Sequence, residues 1–376
     1  MDRGRDPAEY LGSGDAWRDF CRELERAGAE ILRETAPKAP IDLAEGHRYL
    51  ARMLRAAFEQ VVEAGDAAKP WLFGSLHETL KSGWDNPDNH HTNAYISGAH
   101  DYRVWGRRGE AQITSFAVYG GSLGREGGRR TVAFKELDEF EVLPDGRFEL
   151  FLSPRPQPRN WLPTAPDATT LMVRETFWDK PRGRRAELQI ERLGGAPPEP
   201  LTPAFVVSAF ARSLRYVASS SRLFFDMADQ WRARPNTFFP GDPTLAASTL
   251  GIPNQFYASG WWRLAPGEAI ALDFVPPACR YWGFALSDYW GGSFDYRYWQ
   301  VHTNQRRAVT RPGGSVRIAI APRDPGLAGV NWLDTAGHAE GVWTLRFLAA
   351  AAHPLPRVRV LPFDELAGIA GAERSQ

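Results

Sequence analysis

The chain has 376 residues, 43% apolar and 24% charged, and its acidic and basic side chains balance to a net charge of zero. That length exceeds one small core, and the even balance gives no electrostatic reason to expect nucleic acid or an anionic membrane as partner. Two distant cysteines, Cys21 and Cys279, fit neither a disulfide framework nor a metal site.

Residues 1–16 are charged and polar, with no apolar core for a signal peptide, and no apolar run reaches bilayer-spanning length. The expectation is a cytoplasmic protein. Lysine occurs only at Lys38, Lys69, Lys81, Lys135 and Lys180, and this arginine bias matches a GC-rich bacterial genome.

Trp17, Phe20, Cys21, Leu24, Ala27 and Ile31 recur at helical spacing, which predicts a helix over 15–32. Asp42, with Glu45 three positions on, reads as the N-cap of a second helix, whose apolar face includes Leu50, Met53, Leu54 and Val61. From about Asn93 the period becomes alternating. Strands are predicted around 102–105, 112–116, 140–143, 148–152, 170–177 and 186–193, with turns at Arg107-Arg108-Gly109, Gly127-Gly128 and Asp145-Gly146. The Pro-rich run 154–166 reads as a loop. Thr202 and Pro203 open a helix running toward Trp231, and strand patterning resumes from about Asn254 to Val360.

The two strand regions resemble each other. Tyr102-Arg103-Val104 parallels Trp262-Arg263-Leu264, with an offset of 158 at Glu110 and Glu268. Arg155 parallels Arg323 at 168, Asn160-Trp161-Leu162 parallels Asn331-Trp332-Leu333 at 171, and Arg174 parallels Arg346 at 172. An internal duplication follows. The expected fold is mainly β with helical additions: two tandem jelly-roll-like antiparallel β-sandwiches. The expected boundaries are an N-terminal helical region over 1–92, a first sandwich over 93–200, a helical connector over 201–248 and a second sandwich over 249–376.

The repeated Asn-Trp-Leu element, Arg323-Asp324-Pro325 and the block Asn331 to His338 resemble the bacterial family called domain of unknown function 1214. The segment Asn254 to Asp288 is similar to that family's usual partner domain, number 1254. The resemblance covers most of 90–350 and implies β-sandwich domains. It brings no activity, substrate or catalytic residue.

Three polar groups carry the candidate chemistry. The first spans Asn86, Asp88, Asn89, His90, His91, Asn93, His100 and Asp101, with Tyr95 beside it. It reads as a His/Asp acid–base pair or a set of metal ligands, or as a loop capping its own backbone. The second sets Asp288 and Asp295 among Tyr281, Trp282, Tyr289, Trp290, Tyr296 and Arg297. Burial against rings would raise one carboxylate's pKa; the bland reading is a core stripe. The third holds His302, Asn304, Arg323, Asn331, Trp332, Asp334 and His338, in which Asp334 or Asp324 would orient an imidazole. Recurrence of Asn331 and Trp332 in the first copy points to scaffold. Asp334 and His338 have no such counterpart, so they are the better functional candidates.

Gly120 to Gly124 matches the nucleophile-elbow string but lacks its strand–turn–helix setting. His77-Glu78 starts a zinc motif that Lys81 breaks. No phosphate loop or dinucleotide fingerprint occurs, so neither a metal nor another cofactor is expected. The leading expectation is a small-molecule-processing, acid–base enzyme of hydrolase or lyase type. Its catalytic groups would be Asp288, Asp295, His302, Asp334 and His338, acting on a bulky apolar or sugar-like ligand held by the second sandwich's aromatics. Against it stand a non-catalytic small-molecule or carbohydrate binder and a structural protein assembling with further copies of itself.

Overall fold

Phe116 and Val118, with Leu171 and Val173 on the neighbouring strand, turn alternate side chains to one side and build an apolar layer. The computed structural model in which this is seen describes residues 4–121, 129–197, 199–242, 251 and 253–371. A five-stranded sheet has the order β1 (Phe73–Leu76), β2 (Asn89–Tyr95), β8 (Ala168–Thr176), β4 (Ile113–Gly121), β5 (Arg129–Glu136). Facing it is a four-stranded sheet of β7 (Trp161–Pro163), β6 (Arg147–Ser153), β3 (Asp101–Arg107) and β9 (Glu187–Leu193). Leu150, Leu152, Tyr102 and Val104 close the core from that second side.

The plan then repeats. The second sandwich pairs β10 (Phe239–Pro240), β11 (Gln255–Arg263), β17 (Glu340–Leu348), β13 (Tyr281–Ser287) and β14 (His302–Asn304). Its other sheet runs β16 (Asn331–Asp334), β15 (Val316–Ala321), β12 (Glu268–Phe274), β18 (Arg357–Pro362). Adding nine to each strand number of the first sandwich yields the order of the second, so the duplication is exact at the level of topology.

The repeated Asn-Trp element shows why it was kept. Asn160 donates to the carbonyls of Glu141 and Glu149, and Asn331 to those of Val309 and Arg317. Trp161 and Trp332 each donate at 2.9 Å to the carbonyl of the preceding strand's end, Ser153 and Ala321. Both sets satisfy backbone groups where a parallel strand joins the sheet edge, which is scaffold work.

Among the described residues, the α-helices before the second sandwich are α1 (Pro7–Gly12), α2 (Asp15–Ile31), α3 (Pro40–Ala57) and α4 (Pro203–Arg232). Thr202 caps α4 by accepting from Phe205 N–H at 3.2 Å. A π-helical turn, Phe58–Glu63, extends α3. Tyr49, Met53 and Phe225 from the helices pack with Trp261, Tyr289 and Trp290 from the second sandwich. Gly46 permits this approach, since a Cβ there would lie 2.6 Å from the Trp290 ring.

Five expectations change. The second helix starts at Pro40, not Asp42; proline's fixed φ suits the first helical position, and Asp42 uses its carboxylate elsewhere. The predicted turn at 107–109 is no hairpin, because β3 and β4 lie in opposite sheets. Residues 140–143 form no strand beyond one isolated bridge at Val142. β1 and part of β2 lie within the stretch expected to be helical. The parallel of Tyr102 with Trp262 is also out of register: these residues sit on β3 and β11, whereas topology pairs β2 with β11 and β3 with β12. The turn at Gly127-Gly128 and Ser122 of the elbow string lie outside the described residues.

Candidate functional site

Inward-facing positions at one rung separate the two copies. In the second sandwich Phe256, Phe347 and Trp282 stand side by side on β11, β17 and β13 and fill the core. The equivalent rung of the first sandwich is His90, Glu175 and Thr114, on β2, β8 and β4. Three aromatic rings are replaced by smaller polar side chains, and the mouth of the first sandwich opens into a hollow of about 460 Å³. Its walls include His77, Glu78, His90, Thr92, Glu175 and Arg185.

The imidazoles of His77 and His90 stack with centroids 6.1 Å apart. Arg185 reaches His90 Nε2 at 3.0 Å. Burial, helped by the charges of Arg185 and Lys180, pushes His90 down to about 3, and burial lowers His77 too. Both rings are therefore neutral at physiological pH; His77 Nδ1 accepts from Thr79 N–H at 3.3 Å and His90 accepts from Arg185. Glu175 goes the other way, raised by burial although its Oε1 accepts from Ala186 N–H at 2.8 Å. Burial also works to raise Glu78, yet Lys180 at 3.2 Å draws it down to about 2. The hollow thus sets two neutral imidazoles and a carboxyl raised by burial beside a fixed carboxylate and a guanidinium.

Behind Glu78 lies a buried polar layer that joins the sandwiches. Lys180 Nζ donates to Asn89 O at 2.5 Å and to the Tyr296 hydroxyl at 3.2 Å. Lys81 lies 4.1 Å over the Tyr296 ring and donates to the carbonyls of Ser293 and Phe294; burial lowers its pKa to about 8. Asp88 accepts from Tyr281 OH at 2.7 Å and Asn304 Nδ2 at 2.9 Å. His302 Nε2 is 3.3 Å from Asp88 and 2.7 Å from Arg307 Nη1. Burial lowers the His302 pKa, and the shorter contact is to a donor, so the ring is neutral and accepts from Arg307.

Most sequence-predicted candidates lie elsewhere. His338 is buried, 2.9 Å from Asp42 on α3 and stacked on Phe294 at 4.3 Å; its carboxylate partner is neither Asp334 nor Asp324. Asp334 accepts from Ala336 N–H in a turn. Asp288 is buried with Oδ1 on Gly292 N–H, and burial raises its pKa to about 7. For Asp295 burial is outweighed by Arg297 and Lys81, which hold its carboxyl well below the usual range. Arg323 is exposed near Asp364. The aromatic run is divided among cores: Trp282 inside the second sandwich, Tyr289 and Trp290 against the helices, Tyr281 at the inter-sandwich layer. The Tyr95 ring lies tilted by 41° against Phe73, centroids 5.7 Å apart. Of the predicted residues only His90 lines the hollow. His77, Glu78, Glu175 and Arg185 were not proposed, although Glu175 shares the inward parity of Leu171 and Val173, a signal readable in the sequence. Among the described residues, no group of three His, Cys, Asp or Glu side chains is placed to hold a metal ion, and no helix is long and apolar enough to cross a membrane.

Opposite shifts at His90 and Asp288 make a testable pair. An imidazole lowered from 6.5 to about 3 leaves the folded state binding fewer protons than the unfolded chain, so stability falls as pH drops below 6.5. A carboxyl raised from 3.8 to about 7 makes stability fall as pH rises through that window. His90→Gln should therefore recover about 1–3 kcal/mol at pH ~4.5, and Asp288→Asn a similar amount at pH ~7.5. Urea denaturation at both pH values checks the sign of each.

Two stretches, 87–176 and 269–352, match the family described as protein of unknown function (DUF1214). The second match takes in residues 269–288 of the segment that resembled the partner domain. The solved structure of an uncharacterised protein from Burkholderia cenocepacia is 39% identical, with a TM-score of 0.90, covering 96% of this chain and 100% of its own. The VPA0106 protein from Vibrio parahaemolyticus is 10% identical, with a TM-score of 0.46, covering 84% of this chain and 98% of its own. No curated protein matches the chain. A nearly full-length relative and two matches that fall one on each sandwich agree: the chain belongs to the DUF1214 family.

Proposed function

We propose that the chain processes a small hydroxylated, sugar-like molecule by acid–base chemistry at the mouth of the first sandwich. The observation that carries this reading is the rung at which His90, Glu175 and Thr114 replace the Phe256, Phe347 and Trp282 of the other copy. A core position surrendered to polar groups costs stability, and a functional site is where such a cost is tolerated. Glu175, whose carboxyl pKa burial raises, exchanges a proton with the substrate, and the neutral His90 ring orients a substrate hydroxyl. Arg185 and the Glu78–Lys180 pair orient hydroxyls at the rim. The lining mixes both charges and presents few apolar groups, which favours a hydroxylated ligand over the bulky apolar alternative.

The test is a metabolite-depletion screen with purified protein, repeated with His90→Ala and Glu175→Gln. Each variant should lower kcat/KM by roughly 10²–10⁴ on the substrate that wild type consumes. Equal turnover by wild type and both variants would refute the assignment. A ligand bound by wild type and returned unchanged would establish binding without catalysis.

A further inference from the structure

A second hollow, of about 650 Å³, lies where β3 ends and β9 begins. Leu188 of the edge strand β9 lines both this hollow and the mouth of the first sandwich. Its side chain packs inward with Val104 and Ile190 while Trp105 and Gln189 stand on the outer face, so the two hollows meet at the edge of β9. We propose that this hollow is a docking subsite for a sugar ring, and that the ligand is therefore an oligosaccharide crossing the edge of β9 from one hollow to the other.

Trp105 supplies the platform. Arg103 lies 4.9 Å from the centroid of its ring and is itself tied to Glu149 at 3.0 Å and Glu191 at 3.3 Å. The indole is thereby held in place before any ligand arrives, which limits the entropy lost on binding. The apolar C–H face of a pyranose packs well on such a ring.

Around Trp105 stand Asp145, Arg147, Arg107, Glu187 and Gln189. Asp145 and Arg147 pair at 2.6 Å, and Arg107 Nε donates to Asp145 O at 2.9 Å. Such a ring of mixed charge disfavours a free anion or cation, since each would meet a like charge. Neutral hydroxyls, which both donate and accept, satisfy all of these groups. Gly106 keeps the floor at backbone level: a Cβ there would lie 1.7 Å from the Glu187 carbonyl.

This proposal rests on the mouth being the reacting site, and the experiment separates the two. Calorimetric titration with maltohexaose, cellohexaose, xylohexaose and chitohexaose, and with their monosaccharides, is run on wild type, Trp105→Ala, Trp105→Phe and the pair His90→Ala/Glu175→Gln. At least one hexaose should bind, more than tenfold tighter than its monosaccharide. Trp105→Ala should weaken it tenfold or more, whereas Trp105→Phe, which keeps a ring, should stay within about threefold. Failure of all four hexaoses to bind, or equal binding by Trp105→Ala, overturns the docking subsite. A hexaose bound through Trp105 but never consumed upholds the subsite and removes the catalytic reading. Turnover of a small substrate that ignores Trp105→Ala does the reverse.

Discussion

Asp88→Ala is expected to cost about 3–5 kcal/mol, because it strips a buried hub of its acceptor. Asp88 is only 2% exposed and belongs to the segment entering the first sandwich, yet the groups around it, Tyr281, Asn304 and His302, all come from the second. With alanine in place, the tyrosine hydroxyl keeps only the longer contact to Asn86 Oδ1 at 3.2 Å, and one amide proton of Asn304 loses its acceptor. Burial works to raise the Asp88 pKa, but the surrounding donors prevail and lower it. A depressed carboxyl contributes stability above its ordinary value of 3.8 that disappears as pH falls through the folded-state pKa. The gap between wild type and Asp88→Asn in urea midpoint should accordingly narrow as the solution is acidified below that value. At neutral pH, Asp88→Ala should also loosen the coupling between sandwiches and split one unfolding transition into two. The Arg280–Glu136 pair, with contacts of 2.7 and 2.8 Å, is more exposed and cannot replace it.

The second large effect concerns Asp42 and His338. His338→Ala should destabilise the protein by about 2–4 kcal/mol, since it removes the ring stacked on Phe294 and leaves the Asp42 carboxylate buried without its imidazole. Asp42→Ala should cost slightly less, and the double variant less than the sum, with a coupling of about 1–3 kcal/mol in a mutant cycle. Hydrogen exchange gives the structural readout: amides of α3 should lose protection in either variant, while those of β4 and β8 keep theirs. If α3 keeps full protection and the two costs simply add, the pair does not dock the helix.

These two expectations mark where reading the chain reached its limit. Asp42 looked like a helix cap because an Asp followed three residues later by Glu carries that local signature. The nearby Pro40 starts the helix instead and frees the carboxylate for a histidine 296 residues away in the chain. His338 stands out for lacking a counterpart in the first copy, but its partner, Asp42, could not be named from spacing. The aromatic run from Tyr281 to Trp299 is continuous in sequence and divided in space, because Tyr281 and Trp282 alternate across β13 while Tyr289, Trp290 and Tyr296 follow in the loop that leaves it toward the helices. Density of rings in the chain therefore did not mean a ring-lined pocket. Comparison between copies also places a polar rung in the first sandwich, where the second keeps its aromatic filling.

Alternation, turn residues and the repeated Asn-Trp-Leu block were enough to determine two copies of an all-β module, the long helix from Thr202 and Pro203, and the family. Those features are local, or repeat at a fixed offset, so the linear chain contains them whole. Only the tertiary structure decided which strands share a sheet, which partner each buried charge meets and which mouth stands open. Each depends on residues brought together from opposite ends of the chain, and a hollow is the space side chains leave unfilled, a property of packing that no segment possesses alone.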